Sequence, residues 1–265
     1  MVTFLHISDT HISADPAYHP PEIPASLPHP NRGVERLLEM IDRLPFEIDF
    51  ILHTGDVCAD PQAQDYHCAR ELFSRLSQPL YLLPGNHDSV RLMRDILHDG
   101  ERMQVLGDAH LQLGGCHLLT LDSNEEGDVH APILSDEQID WFAERLESIH
   151  DRPIIAAAHH ALIETGVPWI DEQMRVQNGQ RVQRLLQQHR DKISGVFHGH
   201  IHQATTTFSG GVAYICCPST WSNLAGYPGL GAAEPDLNVQ GGFNLVMLRE
   251  DGAFVRRYSL PALSP

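Results

Sequence analysis

The sequence lacks three features, each of which would point to a particular class of protein. Its apolar runs are far shorter than the roughly 20 residues that a helix needs to cross a bilayer. It has only 5 cysteines in 265 residues, and no two of them form a Cys-x-x-Cys pair. It has 18 basic residues against 35 acidic ones, with no cluster of lysine and arginine. These absences disfavour a membrane-spanning protein, a disulfide-rich or cysteine-bound zinc protein, and a binder of nucleic acid polymers.

Length, composition and the N-terminus favour one cytoplasmic domain. The 265 residues are 42% hydrophobic and 20% charged, which is ordinary for a folded protein and sufficient for a substantial core. No low-complexity linker or repeat interrupts the chain, so we expect a single domain over residues 1–265. The first strand follows Met1 directly, without a basic leader, and the cysteines show no pairing pattern. We therefore expect a reduced, cytoplasmic protein without membrane association, and the sequence leaves a homo-oligomer open.

Five apolar runs of strand length end abruptly in residues that can bind metals. In chain order, the runs are Val2–Ile7, Ile48–Leu52, Pro79–Leu83, Pro153–Ala158 and Ile193–Phe197. They lead, in the same order, into Asp9-Thr10-His11, Gly55-Asp56, Gly85-Asn86-His87-Asp88, His159-His160 and Gly199-His200-Ile201-His202. In open α/β sheets, ligand sites lie beyond the carboxyl ends of the strands. We therefore expect these oxygen and imidazole donors to converge on one hydrolytic metal centre.

Strand and helix patterns alternate over the first ~120 residues, which indicates parallel βαβ units. Helices are predicted over Asn31–Leu44, with Asn31 as the capping residue, over Gln64–Ser77, over Ser89–His98, and behind a capping box formed by Ser135 and Gln138. Glycine turns predict antiparallel hairpins at Gly114-Gly115, Gly210-Gly211 and Asp251-Gly252. The predicted fold is therefore α/β: a four-layer sandwich of two mixed β-sheets flanked by helices.

Two long irregular segments, Tyr18–Pro30 and Pro218–Gly242, follow the first and the last ligand runs, and a shorter loop is predicted at Ser123–Pro132. Ordered loops as long as the first two are usually functional or mobile. Both could form walls of a substrate pocket. For the proline-rich Tyr18–Pro30, surface padding is an equal alternative.

Taken together, the motifs resemble those of the calcineurin-like metallophosphoesterase superfamily: Asp-x-His, Gly-Asp, Gly-Asn-His-(Asp/Glu), His and Gly-His-x-His. The resemblance spans residues 4–202, and every ligand position is filled. Within that superfamily, the chain looks most similar to bacterial class III cyclic-nucleotide phosphodiesterases and related glycerophosphodiesterases. One departure is that such relatives often read His-His-Pro-Pro at the fourth motif, whereas this chain reads His159-His160-Ala161-Leu162.

The resemblance implies a centre of two adjacent transition-metal ions, which could be Fe, Mn, Zn or Co. The implied ligands are Asp9, His11 and His202 for the first ion, Asn86, His159 and His200 for the second, and Asp56 for both. A carboxylate suits the shared position because it offers two oxygens. Alternate residues of an extended segment face the same way, yet His200 and His202 of the last motif are assigned to different ions. The loops must therefore turn after the strand ends, and Gly55, Gly85 and Gly199 permit such turns.

Two ions about 3.5–4 Å apart can hold a hydroxide between them for in-line attack at phosphorus. His87 has no ligand role in the motif, so it is the candidate for protonating the leaving oxygen or stabilising the phosphoryl charge. Packing within its loop is the alternative role for His87.

Residues beside the implied ligands are expected to have supporting roles. Asp88 is expected to be the N-cap of the following helix. His53, His160 and His198 are expected to support ligands rather than to bind metal, and Cys58 to be a small buried residue. Most of the other histidines are expected to be surface or packing residues.

The leading functional hypothesis is a dinuclear phosphodiesterase acting on small diesters, such as cyclic nucleotides including cAMP, or glycerophosphodiesters. A phosphomonoesterase or a nucleotide-sugar pyrophosphatase would use the same metals with a different pocket. A hypothesis of another class is a non-catalytic scaffold with the same fold, which would be expected to have lost ligands.

Overall fold

The computed structural model describes residues 1–21, 23–124, 130–150 and 153–261. In chain order, its strands are β1 (Val2–Ile7), β2 (Phe50–His53), β3 (Leu80–Leu82), β4 (Met103–Val105), β5 (Ala109–Leu113), β6 (Cys116–Thr120), β7 (Ile154–Ala157), β8 (Ile193–His198), β9 (Thr206–Ser209), β10 (Val212–Cys216), β11 (Gly242–Arg249) and β12 (Gly252–Ser259). Its helices are α1 (Pro30–Ile41), α2 (Ala63–Phe73), α3 (Val90–Ile96), α4 (Asp136–Ser148), α5 (Pro168–Gln173) and α6 (Gln180–Gln188).

The strands of the described residues form two six-stranded mixed sheets. The first has the order β12-β11-β1-β2-β3-β4, and the second has the order β5-β6-β7-β8-β10-β9. Strands β1 to β4 pair in parallel, as do β6, β7 and β8, so their carboxyl ends lie at one edge of each sheet. The three predicted hairpins, β5–β6, β9–β10 and β11–β12, are antiparallel.

Apolar side chains join the layers. Between the sheets, the ring of Phe4 stacks on Phe50 with centroids 4.8 Å apart and meets Phe197 edge-on at 5.3 Å. The other face of the first sheet packs against α1, α2 and α3, and that of the second against α4 and α6. The four-layer sandwich predicted from the sequence is confirmed.

Local predictions differ from the structure mainly at element ends. Strand β1 has its predicted bounds, and the capping box at Ser135 and Gln138 is formed. Helix α1, however, is capped by His29 and begins at Pro30, so the prediction of Asn31 as its cap is wrong. The Asn31 side chain instead accepts from the main-chain N–H of Ser13 at 3.0 Å and donates to its carbonyl at 2.8 Å.

Parts of two predicted loops, residue 22 and residues 125–129, lie outside the described residues. No helix in the part of the chain that the structure describes is both long enough and apolar enough to span a bilayer.

Candidate metal centre

Strand ends from both sheets bring the sequence-predicted ligands together. The donor atoms of one group, Asp9, His11, Asp56 and His202, all lie within 4.8 Å of one another. A second group, His159, His160 and His200, meets the same limit. The first group follows β1, β2 and β8, and the second follows β7 and β8, so the two sheets contribute jointly.

Asp56 lies between the two groups. Its Oδ2 atom is 3.7 Å from Nε2 of His11 and 3.4 Å from Nε2 of His159. Asn86 joins the second group, because its Oδ1 atom is 3.2 Å from the same Nε2 of His159. All seven predicted ligand residues are therefore neighbours, with a carboxylate at the junction of the two groups.

Five of the predicted ligand residues have an uncommon backbone conformation. Among the described residues, the non-glycine residues with positive φ are Asp9 (53°), His11 (45°), Asp56 (54°), His200 (67°) and His202 (48°). All five belong to the predicted ligand set. Left-handed backbone is unfavourable for L-residues and persists only where the surrounding structure holds it. The turns that follow the strand ends are thus made largely by the predicted ligands themselves, and in the last motif they place His200 and His202 in different groups.

The glycines of the motifs allow neighbouring segments of the chain to approach closely. Gly55 has a φ of 104°, so it contributes to the turn as the sequence predicts. Gly85 and Gly199 have a different role, because neither has positive φ. A Cβ atom at Gly85 would overlap the carboxylate of Asp56, and one at Gly199 would overlap the side chains of Ser8 and Asp9.

Main-chain carbonyls orient three of the ligand histidines. Nδ1 of His159 donates to the Thr54 carbonyl at 2.7 Å, and Nδ1 of His202 donates to the Ser222 carbonyl at 2.9 Å. His200 has the opposite orientation, with Nε2 donating to the His130 carbonyl at 3.1 Å. In each neutral ring, the remaining nitrogen keeps its lone pair. Such carbonyl contacts commonly fix the tautomer of metal-binding histidines.

Burial and charge determine the protonation of the centre. Burial lowers the pKa of His11 to about 3, against the opposing charge of Asp56, and it lowers the pKa of His200 well below its usual value. Burial would raise the pKa of Asp56, but the charges of His159 and His87 hold that pKa well below its usual value. Burial also opposes protonation of His159, yet the Asp56 charge and hydrogen bond raise its pKa to about 9. A cation would compete with that proton for the same lone pair.

The donor set fits metal ions. Nε2 of His202 lies 3.0 Å from Nε2 of His11 and 3.4 Å from Oδ1 of Asp9, so lone-pair donors face one another. Ligand bonds of about 2.0–2.2 Å, directed at one ion, place donors at comparable separations. These residues could hold one ion within the first group and a second ion within the other, with Asp56 contacting both.

His87 lies beside the centre without belonging to either group. Its main-chain N–H donates to Oδ1 of Asp56 at 3.0 Å, and its ring meets that of His11 edge-on with centroids 4.9 Å apart. Nδ1 of His87 donates to the Ala59 carbonyl at 3.0 Å. This contact holds the ring of His87 against the main chain of the Asp56 loop.

Asp88 does not cap the helix that follows it, so this sequence prediction is wrong. The N-cap of α3 is Ser89, whose side chain accepts from the Leu92 N–H. The Asp88 carboxylate instead accepts main-chain N–H groups from Gly85 and Val57, each at 3.0 Å. It therefore ties together the two loops that carry Asp56 and Asn86.

The neighbouring residues occupy different positions around the centre. His53 hydrogen-bonds the Thr10 hydroxyl at 3.0 Å, and burial lowers its pKa to about 4, so it is a neutral support. Cys58 is buried, as predicted. His160 was expected only to support ligands, yet it lies within the second group, and its Nδ1 atom is 2.8 Å from the Ser123 hydroxyl.

Sequence reasoning did not single out His130. Its Nδ1 atom lies 3.4 Å from Nδ2 of Asn86, its carbonyl accepts from His200, and its ring stacks on the His200 ring with centroids 5.8 Å apart. His130 follows no apolar strand, so the pattern that identified the other residues carried no signal for it.

The two long loops meet beside the first group. The indole Nε1 of Trp221 donates to the Pro28 carbonyl at 2.7 Å. The Trp221 ring lies 6.1 Å from the His11 ring and 6.0 Å from the Tyr18 ring, measured between centroids. The second loop therefore borders the centre, and the first loop packs against it at Trp221.

The chain is similar to proteins of a known family. The calcineurin-like phosphoesterase family model matches residues 2–204 of the chain. A 3',5'-cyclic-nucleotide phosphodiesterase from Nostoc sp. is 28% identical over 230 residues, which cover 85% of this chain and 83% of the relative. A probable glycerophosphodiester phosphodiesterase from Arcobacter nitrofigilis is 23% identical over 207 residues, which cover 77% of this chain and 72% of the relative.

A solved structure of a dimetal phosphatase from Danio rerio superimposes with a TM-score of 0.67 at 14% identity, covering 98% of this chain and 96% of the other. That similarity supports the fold. The family match covers most of the chain, including all the strand-end motifs, and so confirms the resemblance seen in the sequence. The chain therefore belongs to the calcineurin-like phosphoesterase family and is a phosphoric ester hydrolase.

Proposed function

We propose that this chain hydrolyses small phosphodiesters at a centre of two transition-metal ions. In this proposal, Asp9, His11 and His202 hold one ion, and Asn86, His159 and His200 hold the other. Asp56 holds both. The observation that carries the proposal is the position of the Asp56 carboxylate, which lies within 3.7 Å of His11 in one group and 3.4 Å of His159 in the other.

The chemistry supplied by a bound metal pair is stabilisation of phosphoryl charge and activation of a water molecule for attack. The chain's own part is to hold the donors in place. The carbonyls of Thr54, His130 and Ser222 fix which nitrogen of each histidine is left to bind a metal ion. The main-chain N–H of His87 donates to the Oδ1 atom of Asp56 and so restricts the rotation of this carboxylate.

His87 is proposed to donate a proton from Nε2 to the leaving oxygen. Its Nδ1 proton is engaged by the Ala59 carbonyl, and its ring packs against His11. General-acid catalysis of this kind contributes typically 100- to 10,000-fold. The relatives named cyclic-nucleotide and glycerophosphodiester phosphodiesterases support a diester, rather than a monoester, as the substrate.

The first test is hydrolysis of bis-p-nitrophenyl phosphate, with p-nitrophenyl phosphate in parallel, by protein loaded with Mn, Fe, Co or Zn. We expect faster turnover of the diester and a loss of at least 100-fold in Asp56→Ala. Asp191→Ala is the matched control, since the Asp191 side chain is 95% exposed. Turnover of neither ester with any of the four metals would contradict a catalytic function and favour the scaffold hypothesis.

The role of His87 has its own test. p-Nitrophenolate leaves without protonation, whereas an alkoxide such as the ribose oxygen of a cyclic nucleotide needs a proton. We expect His87→Ala to reduce kcat much more on 3',5'-cyclic AMP than on bis-p-nitrophenyl phosphate. Equal losses on the two substrates would instead indicate that His87 only supports its loop.

The cellular setting and the assembly of the chain also stay predictions. A cytoplasmic setting is supported by the cysteine pattern of the sequence, which has five cysteines and no Cys-x-x-Cys spacing.

A further inference from the structure

The surroundings of the two ligand groups differ in chemistry. Beside the second group lie polar side chains, including Ser123, which bonds His160, and His130, which approaches Asn86. Beside the first group lies the aromatic ring of Trp221, which in turn contacts the ring of Tyr18. Metal binding does not require this aromatic pair, so the asymmetry suggests a role in recognising part of the substrate.

The aromatic pair is firmly positioned. Trp221 is only 7% exposed, and its indole donates to the Pro28 carbonyl. Its main-chain N–H donates to the Ser219 hydroxyl at 3.0 Å, and that hydroxyl donates to the Asp9 carbonyl at 2.7 Å. Hydrogen bonds thus connect a ligand residue to Trp221, and Trp221 in turn provides the backing for the half-buried ring of Tyr18.

Trp221 and His87 both neighbour the ring of His11. The His11 ring lies 6.1 Å from the Trp221 ring and 4.9 Å from the His87 ring, measured between centroids. In the proposed reaction the leaving group is bound next to His87, so a planar ring on that group could extend past His11 towards the aromatic pair. Stacking of a base on an aromatic side chain is favourable for any base.

From these contacts, we propose that Tyr18, backed by Trp221, forms a subsite for a planar heteroaromatic ring such as a nucleobase. This inference rests on the proposed function and deepens it, because it selects nucleotide-type phosphodiesters over glycerophosphodiesters. Tyr18 acts here as a specificity-determining residue, while the metal ligands and His87 act on the phosphoryl group that all such substrates share.

The test compares two probes that differ only in the base: AMP and ribose 5-phosphate. Their dissociation constants are measured by titration calorimetry on the metal-loaded protein. We expect AMP to bind about tenfold more tightly than ribose 5-phosphate. Tyr18→Phe, which keeps the ring, should retain this preference, whereas Tyr18→Leu, which keeps apolar bulk without the ring face, should reduce it to about twofold or less.

Equal binding of the two probes by the unaltered protein, or an undiminished preference in Tyr18→Leu, would overturn the inference. The measurement is an equilibrium one, so its outcome is separate from that of the proposed function. Base preference without turnover of any diester would support the subsite and contradict the proposed phosphodiesterase. Turnover of diesters without base preference would support the proposed phosphodiesterase and contradict the subsite.

Discussion

At the scale of single residues, the ligand positions combine two unfavourable features. Five of them have left-handed backbone, which costs an L-residue roughly 1–2 kcal/mol relative to the right-handed form. Four of those five, Asp9, His11, Asp56 and His200, are also buried polar groups. The metal-free centre is therefore a region where the requirements of function and stability conflict.

This conflict predicts an unusual order of stability at His202, whose φ is 48°. In metal-free protein, His202→Gly should be more stable than His202→Ala by roughly 1 kcal/mol, because alanine retains the left-handed strain and glycine does not. Urea unfolding of the two variants measures the difference.

The matched control for His202 is Glu39 in helix α1, whose side chain is 58% exposed. There the order should reverse, with Glu39→Ala more stable than Glu39→Gly by about 1 kcal/mol. An alanine variant at position 202 as stable as the glycine variant would mean that the strain is absent in solution.

Asp122 offers a second prediction, on pH dependence. Burial, reinforced by the charge of Asp108, raises the pKa of Asp122 from 3.8 to about 6. The folded state thus binds this proton more tightly than the unfolded state, so stability falls as pH rises from about 4 to about 6. Above that pH range, the buried charge of Asp122 lowers the free energy of unfolding by its full amount, at most about 3 kcal/mol. Asp122→Asn should therefore be more stable than the unaltered protein at pH 7.5, with the difference vanishing near pH 4.

The same substitution at exposed Asp191 serves as the control for Asp122. Asp191→Asn should change the free energy of unfolding little, and equally at both pH values. A stability gain for Asp122→Asn that is as large at pH 4 as at pH 7.5 would contradict an origin in the carboxyl charge.

At the scale of elements, helix α1 closely approaches the loop that carries Trp221. A Cβ atom on Gly33 of α1 would overlap the carbonyl oxygen of Thr220. Replacing a helical glycine by alanine ordinarily stabilises a protein by about 1 kcal/mol. We expect Gly33→Ala instead to destabilise by about 1–3 kcal/mol, because the loop must move away.

Thermal unfolding and AMP affinity together check this expectation for Gly33. Since Thr220 precedes Trp221, displacement of the loop should also weaken AMP binding. Glu39→Ala on the exposed face of the same helix should change neither quantity appreciably. A stabilised Gly33→Ala variant would show that the loop accommodates the methyl group.

The elements also show what the sequence could and could not predict. Strand β1 was predicted with its bounds because it is a mainly apolar run of strand length, followed closely by the polar residues Ser8 and Asp9. Strand β4, Met103–Val105, was missed because three residues are too few for any period to emerge. The cap of α3 was assigned to Asp88 rather than Ser89, because both residue types favour that position and only the loop contacts of Asp88 distinguish them.

The candidate site, too, has features that the sequence could predict and features that it could not. The residue types of the ligands were visible because their side chains carry the chemistry. The carbonyls of Thr54, His130 and Ser222 were not visible, because every residue has a carbonyl and only the folded loops select these three. The meeting of Tyr18 with Trp221 joins segments 203 positions apart in sequence numbering, which no local pattern can predict.

At the scale of the whole molecule, the proposed ligands extend from Asp9 to His202 and come together only in the folded chain. A metal ion should therefore bind the folded state and not the unfolded one, which raises the free energy of unfolding. At a free metal concentration of about 100 times the dissociation constant, the free energy of unfolding rises by about 2.7 kcal/mol. This rise corresponds to roughly 5–10 °C in Tm for a chain of this size.

Differential scanning fluorimetry of chelator-treated and Mn- or Zn-loaded protein measures this shift. Asp56→Asn, which removes the proposed shared carboxylate charge, should show much less of it, while Asp191→Asn should show all of it. The same Tm with and without metal would contradict a tightly held centre.

The left-handed ligand residues have one more consequence. Their φ angles are properties of the main chain, so they survive when every side chain is erased from the structure. Among the described residues, a search for non-glycine residues with positive φ returns Asp9, His11, Asp56, His200 and His202 and nothing else. For this chain, the φ angles of a bare backbone trace would thus be enough to pick out five of the seven proposed ligand residues.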